Sequence, residues 1–362
     1  MKRVLLATTA LGMSAGVAFA QDMGMADDGM MMEPASSVTV SGDGRMGVVS
    51  DKEDNLKFSS RVRVKFALAA TLDSGLSAGG SIRADNASGG ASGTGGSIYL
   101  SGPFGKLSMG DVDPGAKAAI GHVSSVGYVN QGDPNEITYL RGGGDPTLQY
   151  MLPKMGPVQV YASVGMVTTD VKDEDGDQVY VKESYALNAK TGVIEQTKKT
   201  MTEVSADTLS VGAKADLAIA DMGTAWIGGG FEATTSDTED GHLVLGAGVS
   251  ASGFIGTVVV GMQGRDTNDA EGDPIEVDEE GNAINRDREQ FAVSAGYSAG
   301  QMGVTVFYTD DTDYDGAEAL GAGFSWNLGG GASLEAGFTN WPGQKPGDED
   351  QQTADLGVTF AF

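Results

Sequence analysis

Leu209, Val211, Ala213, Ala215, Leu217 and Ile219 alternate with Ser210, Gly212, Lys214, Asp216 and Ala218. Phe291, Val293, Ala295 and Tyr297 alternate in the same way with Ala292, Ser294, Gly296 and Ser298. A period of two marks a strand whose faces meet different surroundings, one apolar and one small or polar. The pattern predicts strands at about 38–49, 56–71, 76–87, 95–101, 105–112, 146–152, 157–168, 207–219, 223–234, 242–251, 254–264, 290–299, 302–310, 317–328, 331–340 and 353–362, sixteen in all. No stretch after residue 20 reaches the roughly 18 to 20 uninterrupted apolar residues of a membrane helix, so a helical membrane protein is excluded. The 56 glycines and 10 prolines punctuate these segments without making the chain disordered, which leaves one large all-β unit.

The connections fall into two kinds. Asp73-Ser74-Gly75, Gly102-Pro103-Phe104, Pro153-Lys154-Met155-Gly156, Asp221-Met222, Ser252-Gly253, Gly300-Gln301 and Gly329-Gly330 are tight-turn chemistry. The others are longer or highly charged, as in DVKDEDGD from 170, DTNDAEGDPIEVDEEGN from 266, DDTDYDG from 310 and PGQKPGDED from 342. Short turns at one end and long loops at the other are what an up-and-down barrel in an outer membrane requires, whereas Greek-key sandwiches mix them. Periodicity alone does not separate a filled soluble barrel from one wide enough for water. Strand number, loop alternation and an export signal decide for the second.

That signal is at the N-terminus: Lys2 and Arg3, an apolar run from Val4 to Val17, then Ala18-Phe19-Ala20 before Gln21, the build of a secretory signal peptide over residues 1–20. Its removal takes two basic groups and no acid, moving the formal charge from −27 to about −29. An acidic surface of this kind argues against nucleic-acid partners. The exported chain has no cysteine and so does without disulfides. Residues 21–37, with Met23, Met25, Met30, Met31 and Met32 among acids and glycine, read as a flexible leader in preference to a copper site, since they lack His and regular spacing. The barrel is expected over 38–362.

The second predicted strand carries the most informative side chains. Lys57, Ser59, Arg61, Arg63 and Lys65 share one face, opposite Phe58, Val62, Val64 and Phe66. A cation on the lipid face near the midplane costs about 2 to 4 kcal/mol, so this row is expected to face the lumen. Arg45 on the first strand and Arg83 on the third join it, flanked by Asp43 and Asp85. The competing reading pairs these arginines with the nearby acids as part of a solvated wall.

VTVSGDGRMGVV, FSSRVRVKF, IYLSGPFGKLSMGD, GGGASLEAGF and ADLGVTFAF resemble the general porins of alphaproteobacteria, the Rhodobacter type, over most of the mature chain. The resemblance implies a homotrimer of 16-stranded antiparallel transmembrane β-barrels in the outer membrane, in contact with lipid and lipopolysaccharide. It also implies that the terminal aromatic strand is read by outer-membrane assembly machinery. The segment at about 113–145, with AKAAIGHVSSVGYV, looks built to pack. By resemblance it is the long constriction loop that folds inward, placing Asp111, Asp113, Asp133, Glu136 and Asp145 as acids across from the arginines. Each of these is equally readable as an ordinary loop carboxylate. Opposed charge rows would order water and penalise apolar solutes.

Further out, Glu276, Asp278, Glu280 and Asp287 surround Gly281, ingredients for weak surface calcium binding without the first Asp and last Glu of a calcium loop. Solvated loop tips are the favoured reading. An enzyme would have to work with His122 and His242, neither of which lies in a motif, and GPFGK at 102–106 is too short for a phosphate-binding loop. The expected function is passive diffusion of small hydrophilic solutes and ions without a cofactor or covalent step, with a weak cation preference from the acidic mouth. A substrate-selective channel, a structural or adhesive surface barrel and an outer-membrane hydrolase are the alternatives. In the last segment, Leu356, Val358, Phe360 and Phe362 oppose Asp355, Gly357, Thr359 and Ala361, and this strand is expected to pair with the first and leave no edge.

Overall fold

The computed structural model describes residues 36–50, 55–85, 92–93, 95–129, 133–140, 146–170, 180–187, 194–201, 203–220, 222–234, 239–265, 287–312, 318–341 and 351–362. The signal and leader segments lie outside them. The strands are β1 (Ser36–Ser50), β2 (Leu56–Thr71), β3 (Ser77–Asp85), β4 (Ser92–Gly93), β5 (Ser97–Gly102), β6 (Gly105–Gly110), β7 (Thr147–Met151), β8 (Val158–Asp170), β9 (Tyr180–Leu187) and β10 (Ile194–Met201). They continue with β11 (Glu203–Ile219), β12 (Gly223–Thr234), β13 (Glu239–Ala251), β14 (Phe254–Arg265), β15 (Arg288–Ala299), β16 (Met302–Asp311), β17 (Ala319–Gly329), β18 (Ala332–Trp341) and β19 (Gln351–Ala361). A short helix, α1 (Gly115–Ile120), lies between β6 and β7.

Seventeen of these segments form one antiparallel sheet, of which β4 is a two-residue piece paired with the end of β3. The remaining sixteen run in chain order around a closed wall, with β8 joined directly to β11 and β19 to β1. The seam runs from Asp43 opposite Ala361 to Ser50 opposite Ala354. Gly42 and Phe362 exchange both backbone hydrogen bonds, at 2.8 and 3.0 Å. Each strand of the wall thus has two neighbours, and the edge that would template aggregation is gone.

The sixteen predicted strands correspond to the sixteen of the wall. The segment at 169–206 does more than loop: β8 and β11 extend into it, with Glu203 opposite Asp170, and β9 and β10 form a separate hairpin. The alternation of YVKESYAL carries a strand signal that the surrounding charge obscures.

Burial along the wall is inverted relative to a soluble barrel. Phe58 is 95 % exposed and Leu209 58 %, while Ser210 between exposed neighbours is 1 % exposed. Outward apolar rows suit hydrocarbon, and the closed ladder satisfies every strand's backbone without water. The buried apolar cluster lies inside, where Ala116, Ala119, Ile120, Val123 and Val126 of the long loop meet inward-facing Val244, Val259, Ala292 and Phe307. The loop therefore packs in the barrel interior, as its composition predicts.

Candidate functional site

The loop is fitted to one side of the wall. Helix α1 starts after Pro114 with no side-chain cap of its own. Wall serines supply the caps instead: Gly115 and Ala116 donate their N–H groups to Ser163 Oγ of β8 and Ser210 Oγ of β11 at 2.9 and 2.8 Å. Glycine makes room beneath it, since a Cβ at Gly230 would lie 2.5 Å from the Ala116 Cβ. From there the chain crosses β15, where Ser124 N–H reaches Ser294 Oγ at 3.0 Å. It ends on β19, where Asp355 accepts the N–H groups of Tyr128 and Val129 at 3.1 and 3.2 Å. On the return, Thr309 donates to Pro134 O at 2.8 Å, Arg288 to Thr138 Oγ1 at 3.0 Å, and Leu140 N–H to Glu232 Oε2 at 2.8 Å.

The opposite side of the interior carries the basic row. On β2 the apolar side chains point out and Arg61, Arg63 and Lys65 point in, with Arg61 8 % exposed. Register sets Arg45 opposite Arg61 and Lys65 opposite Arg83. Acids answer two of them: Arg61 Nη2 lies 3.2 Å from Asp43 Oδ2, and Arg63 Nε lies 2.7 Å from Asp85 Oδ2. Arg45 is committed to the loop, donating to Tyr128 O at 3.0 Å with its guanidinium 5.9 Å from the Tyr128 ring centroid.

Of the loop acids, Asp113, Asp133 and Glu136 come together around Lys117. Lys117 Nζ lies 3.5 Å from Asp113 Oδ1. Partial burial, then the charge of Asp133 and that of Asp113, push the Glu136 carboxyl up, with Lys117 opposing. Asp111 stands apart, against Gly95 at the end of β6. Asp145 lies outside the described residues. So do Glu276, Asp278 and Glu280, while Asp287 is exposed at the start of β15. Among the described residues no group of three or more His, Cys, Asp or Glu is placed to hold a metal ion.

The two histidines face the loop backbone and buried partners. His122 Nδ1 accepts the Ile137 N–H at 3.2 Å, and its Nε2 lies 3.5 Å from Glu136 Oε2. Burial, aided by the charge of Lys117, lowers the His122 pKa to about 3, so at neutral pH the imidazole is neutral and its contact with Glu136 is not an ion pair. His242 Nδ1 is 3.2 Å from Glu232 Oε2 with both side chains sealed in the wall, and the Tyr139 ring stands edge-on between the two histidines. Burial, then the Glu232 charge, raises the Tyr139 pKa; its hydroxyl donates to Gly121 O at 2.7 Å.

The closed wall and the inward-packed loop have counterparts among known proteins. The family model for Gram-negative porins matches residues 7–277. A porin of Rhodobacter capsulatus is 31 % identical over 335 residues, covering 90 % of this chain and all of the relative. The chain belongs to the Gram-negative porin family. A porin structure refined at 1.8 Å superposes with a TM-score of 0.63 and 26 % identity over 90 % of this chain and all of that one. An engineered variant of Rh. blastica porin reaches 0.60 at 16 % identity with the same coverage, which speaks to the fold alone. This porin is a general diffusion channel of the Gram-negative outer membrane. Its short turns accordingly lie at the periplasmic end and its longer loops outside.

Several residues that shape the porin's interior escaped the sequence reading. Asp355, Glu232 and Arg288 hold the loop, and Lys106 faces inward over the Tyr99 ring, its Nζ 4.5 Å from the centroid. Parity would place Lys106 inward, because Leu107 and Met109 on either side of Ser108 are exposed. The loop anchors leave no such trace, since each joins residues some 90 to 230 positions apart, Glu232 to Leu140 and Asp355 to Tyr128 among them.

Proposed function

We propose that solutes pass between the basic row of Arg45, Arg61, Arg63, Lys65 and Arg83 and the loop carboxylates Asp113, Asp133 and Glu136. The observation that carries this reading is the one-sided docking of the loop: its hydrogen-bond anchors lie on β7, β8, β11, β12, β15, β16 and β19, with its tip reaching β1 at Arg45, so the passage is left along β2–β6. Charge of opposite sign on the two sides sets a transverse field that favours hydrated, dipolar solutes, and the passage width sets the size limit. Nothing in such passage requires a covalent step or a cofactor. Both histidines are occupied by loop and wall partners, which argues against a hydrolase.

Two finer features belong to the same reading. The excess of acids at the mouth gives a weak cation preference, moderated inside by the basic row. The working unit is a homotrimer embedded among lipid and lipopolysaccharide, inserted by outer-membrane assembly machinery after loss of residues 1–20; family resemblance is the ground for this. Reversal potentials in a salt gradient test the field: replacing Arg61 and Arg63 together by Gln should shift selectivity further toward cations. An unchanged reversal potential would remove both arginines from the permeation path. Chemical cross-linking of the native membrane protein should give a trimer ladder, and a monomer alone would overturn that assignment.

A further inference from the structure

Most inward-facing cations of this porin are answered by a carboxylate. Arg61 has Asp43, Arg63 has Asp85, Lys117 has Asp113, Arg288 has Asp311, and Lys214 has Asp216, which the turn residue Lys154 also reaches. Lys65 and Lys106 differ: among the described residues neither has a carboxylate within ion-pair distance. Lys65 instead stands directly across from Arg83, a like-charged neighbour. Lys106 is held by the Tyr99 ring, and the charge it meets is that of Lys65. The wall between them is lined by hydroxyls. Ser81 and Ser97 are register partners on β3 and β5, and Ser101 lies opposite Lys106. In a chain of formal charge −27 this is a strip with two unanswered ammonium groups and hydrogen-bond donors on the way.

We propose that Lys65 and Lys106, with the serine-lined wall of β3 and β5 between them, form an anion lane that binds small doubly charged oxyanions, phosphate and phosphate monoesters, as they cross. An ammonium is a compact charge with three donors and suits a phosphate approached from several directions. Lys65 lies beside the Arg61 and Arg63 level of the passage, whereas Lys106 follows the short β5–β6 turn at Gly102–Gly105, nearer the periplasmic end. A dianion is therefore passed from the basic row toward the periplasm while cations keep to the acidic loop side. The lane makes the channel selective in degree for one solute class without changing its passive character.

The test is single-channel recording of the full porin in planar bilayers in potassium chloride, with sodium phosphate or sodium acetate added at neutral pH. Phosphate should reduce the current in a saturable way, at concentrations well below those at which acetate acts. Lys65→Gln and Lys106→Gln should each raise the half-inhibiting phosphate concentration about 3-fold, the scale of one weak ionic contact. Lys214→Gln, whose partner is Asp216, should leave it unchanged. A wild-type number of channel insertions for each variant certifies that it is folded and inserted. Phosphate action that does not saturate, that acetate matches, or that both lysine variants retain in full would overturn the lane while leaving the channel intact.

Discussion

The carboxylate of Asp355 on the last strand holds the backbone of Tyr128 at the tip of the constriction loop, Oδ1 accepting its N–H at 3.1 Å. On the neighbouring first strand Arg45 donates to Tyr128 O at 3.0 Å, so donor and acceptor of one loop residue are both taken by the two strands that close the barrel. Loop position is thereby tied to closure of the seam.

Asp355→Ala should free the loop tip. A half-buried carboxylate accepting backbone N–H bonds is lost, leaving those groups without partners, at a cost of about 1 to 3 kcal/mol. Because the cost falls on the loop and the wall keeps its ladder, the variant should insert normally and show increased open-channel noise and sub-conductance steps. Quiet recordings identical to wild type would remove Asp355 as an anchor.

Glu232→Ala strikes the other end. Glu232 is fully buried, accepts the Leu140 N–H at 2.8 Å and faces His242 at 3.2 Å, so its removal strands one polar group of the loop and one of the wall. A loss of about 1 to 3 kcal/mol is expected from each unsatisfied group, read as a lower unfolding temperature in detergent. Glu232→Gln keeps an acceptor for Leu140 and should recover part of the loss.

His122 makes loop docking sensitive to acid. Its folded pKa, about 3, lies below the ordinary 6.5, so the folded state binds the proton less readily than the unfolded one. The stabilising contribution is complete above about pH 6.5 and is lost progressively as pH falls toward 3, because a charged ring has no acceptor left for the Ile137 N–H. Glu136, whose carboxyl is raised, works in the opposite sense: its folded state holds the proton more readily, and that contribution fades as pH rises through its folded value. Protease susceptibility of the loop should therefore climb on acidification between pH 6 and pH 3, roughly the interval between the two His122 values. His122→Asn, which offers an acceptor that does not titrate, should flatten that rise; an equally steep rise would place the acid sensitivity elsewhere.

Gly230→Val tests the fit of α1. A Cβ there already comes within 2.5 Å of Ala116, so the larger side chain must lift the helix from the wall. The displaced loop should narrow the passage and lower single-channel conductance, while the number of inserted channels stays near wild type.

The wall was legible because its physics is local. Alternation such as Leu209 to Ile219, turns such as Asp73-Ser74-Gly75 and the parity of Arg61, Arg63 and Lys65 depend on neighbours in sequence, and lipid outside punishes any error of face. The packing character of 113–145 was equally plain from its apolar residues. What remained hidden is where that loop lands. Ser163, Ser210 and Ser294 look like any inward polar residue of a strand, and only the folded loop makes caps and anchors of them. The hairpin of β9 and β10 was hidden for a different reason, its alternation being diluted by charges that read as loop.

The most direct measurement is conductance of the purified porin in a planar bilayer under a salt gradient. Discrete upward current steps are expected as single units insert, with a reversal potential on the cation-selective side of zero and close to it. Insertion without steps would contradict a water-filled channel, and strong anion selectivity would contradict the assignment of the acidic mouth and loop to the passage.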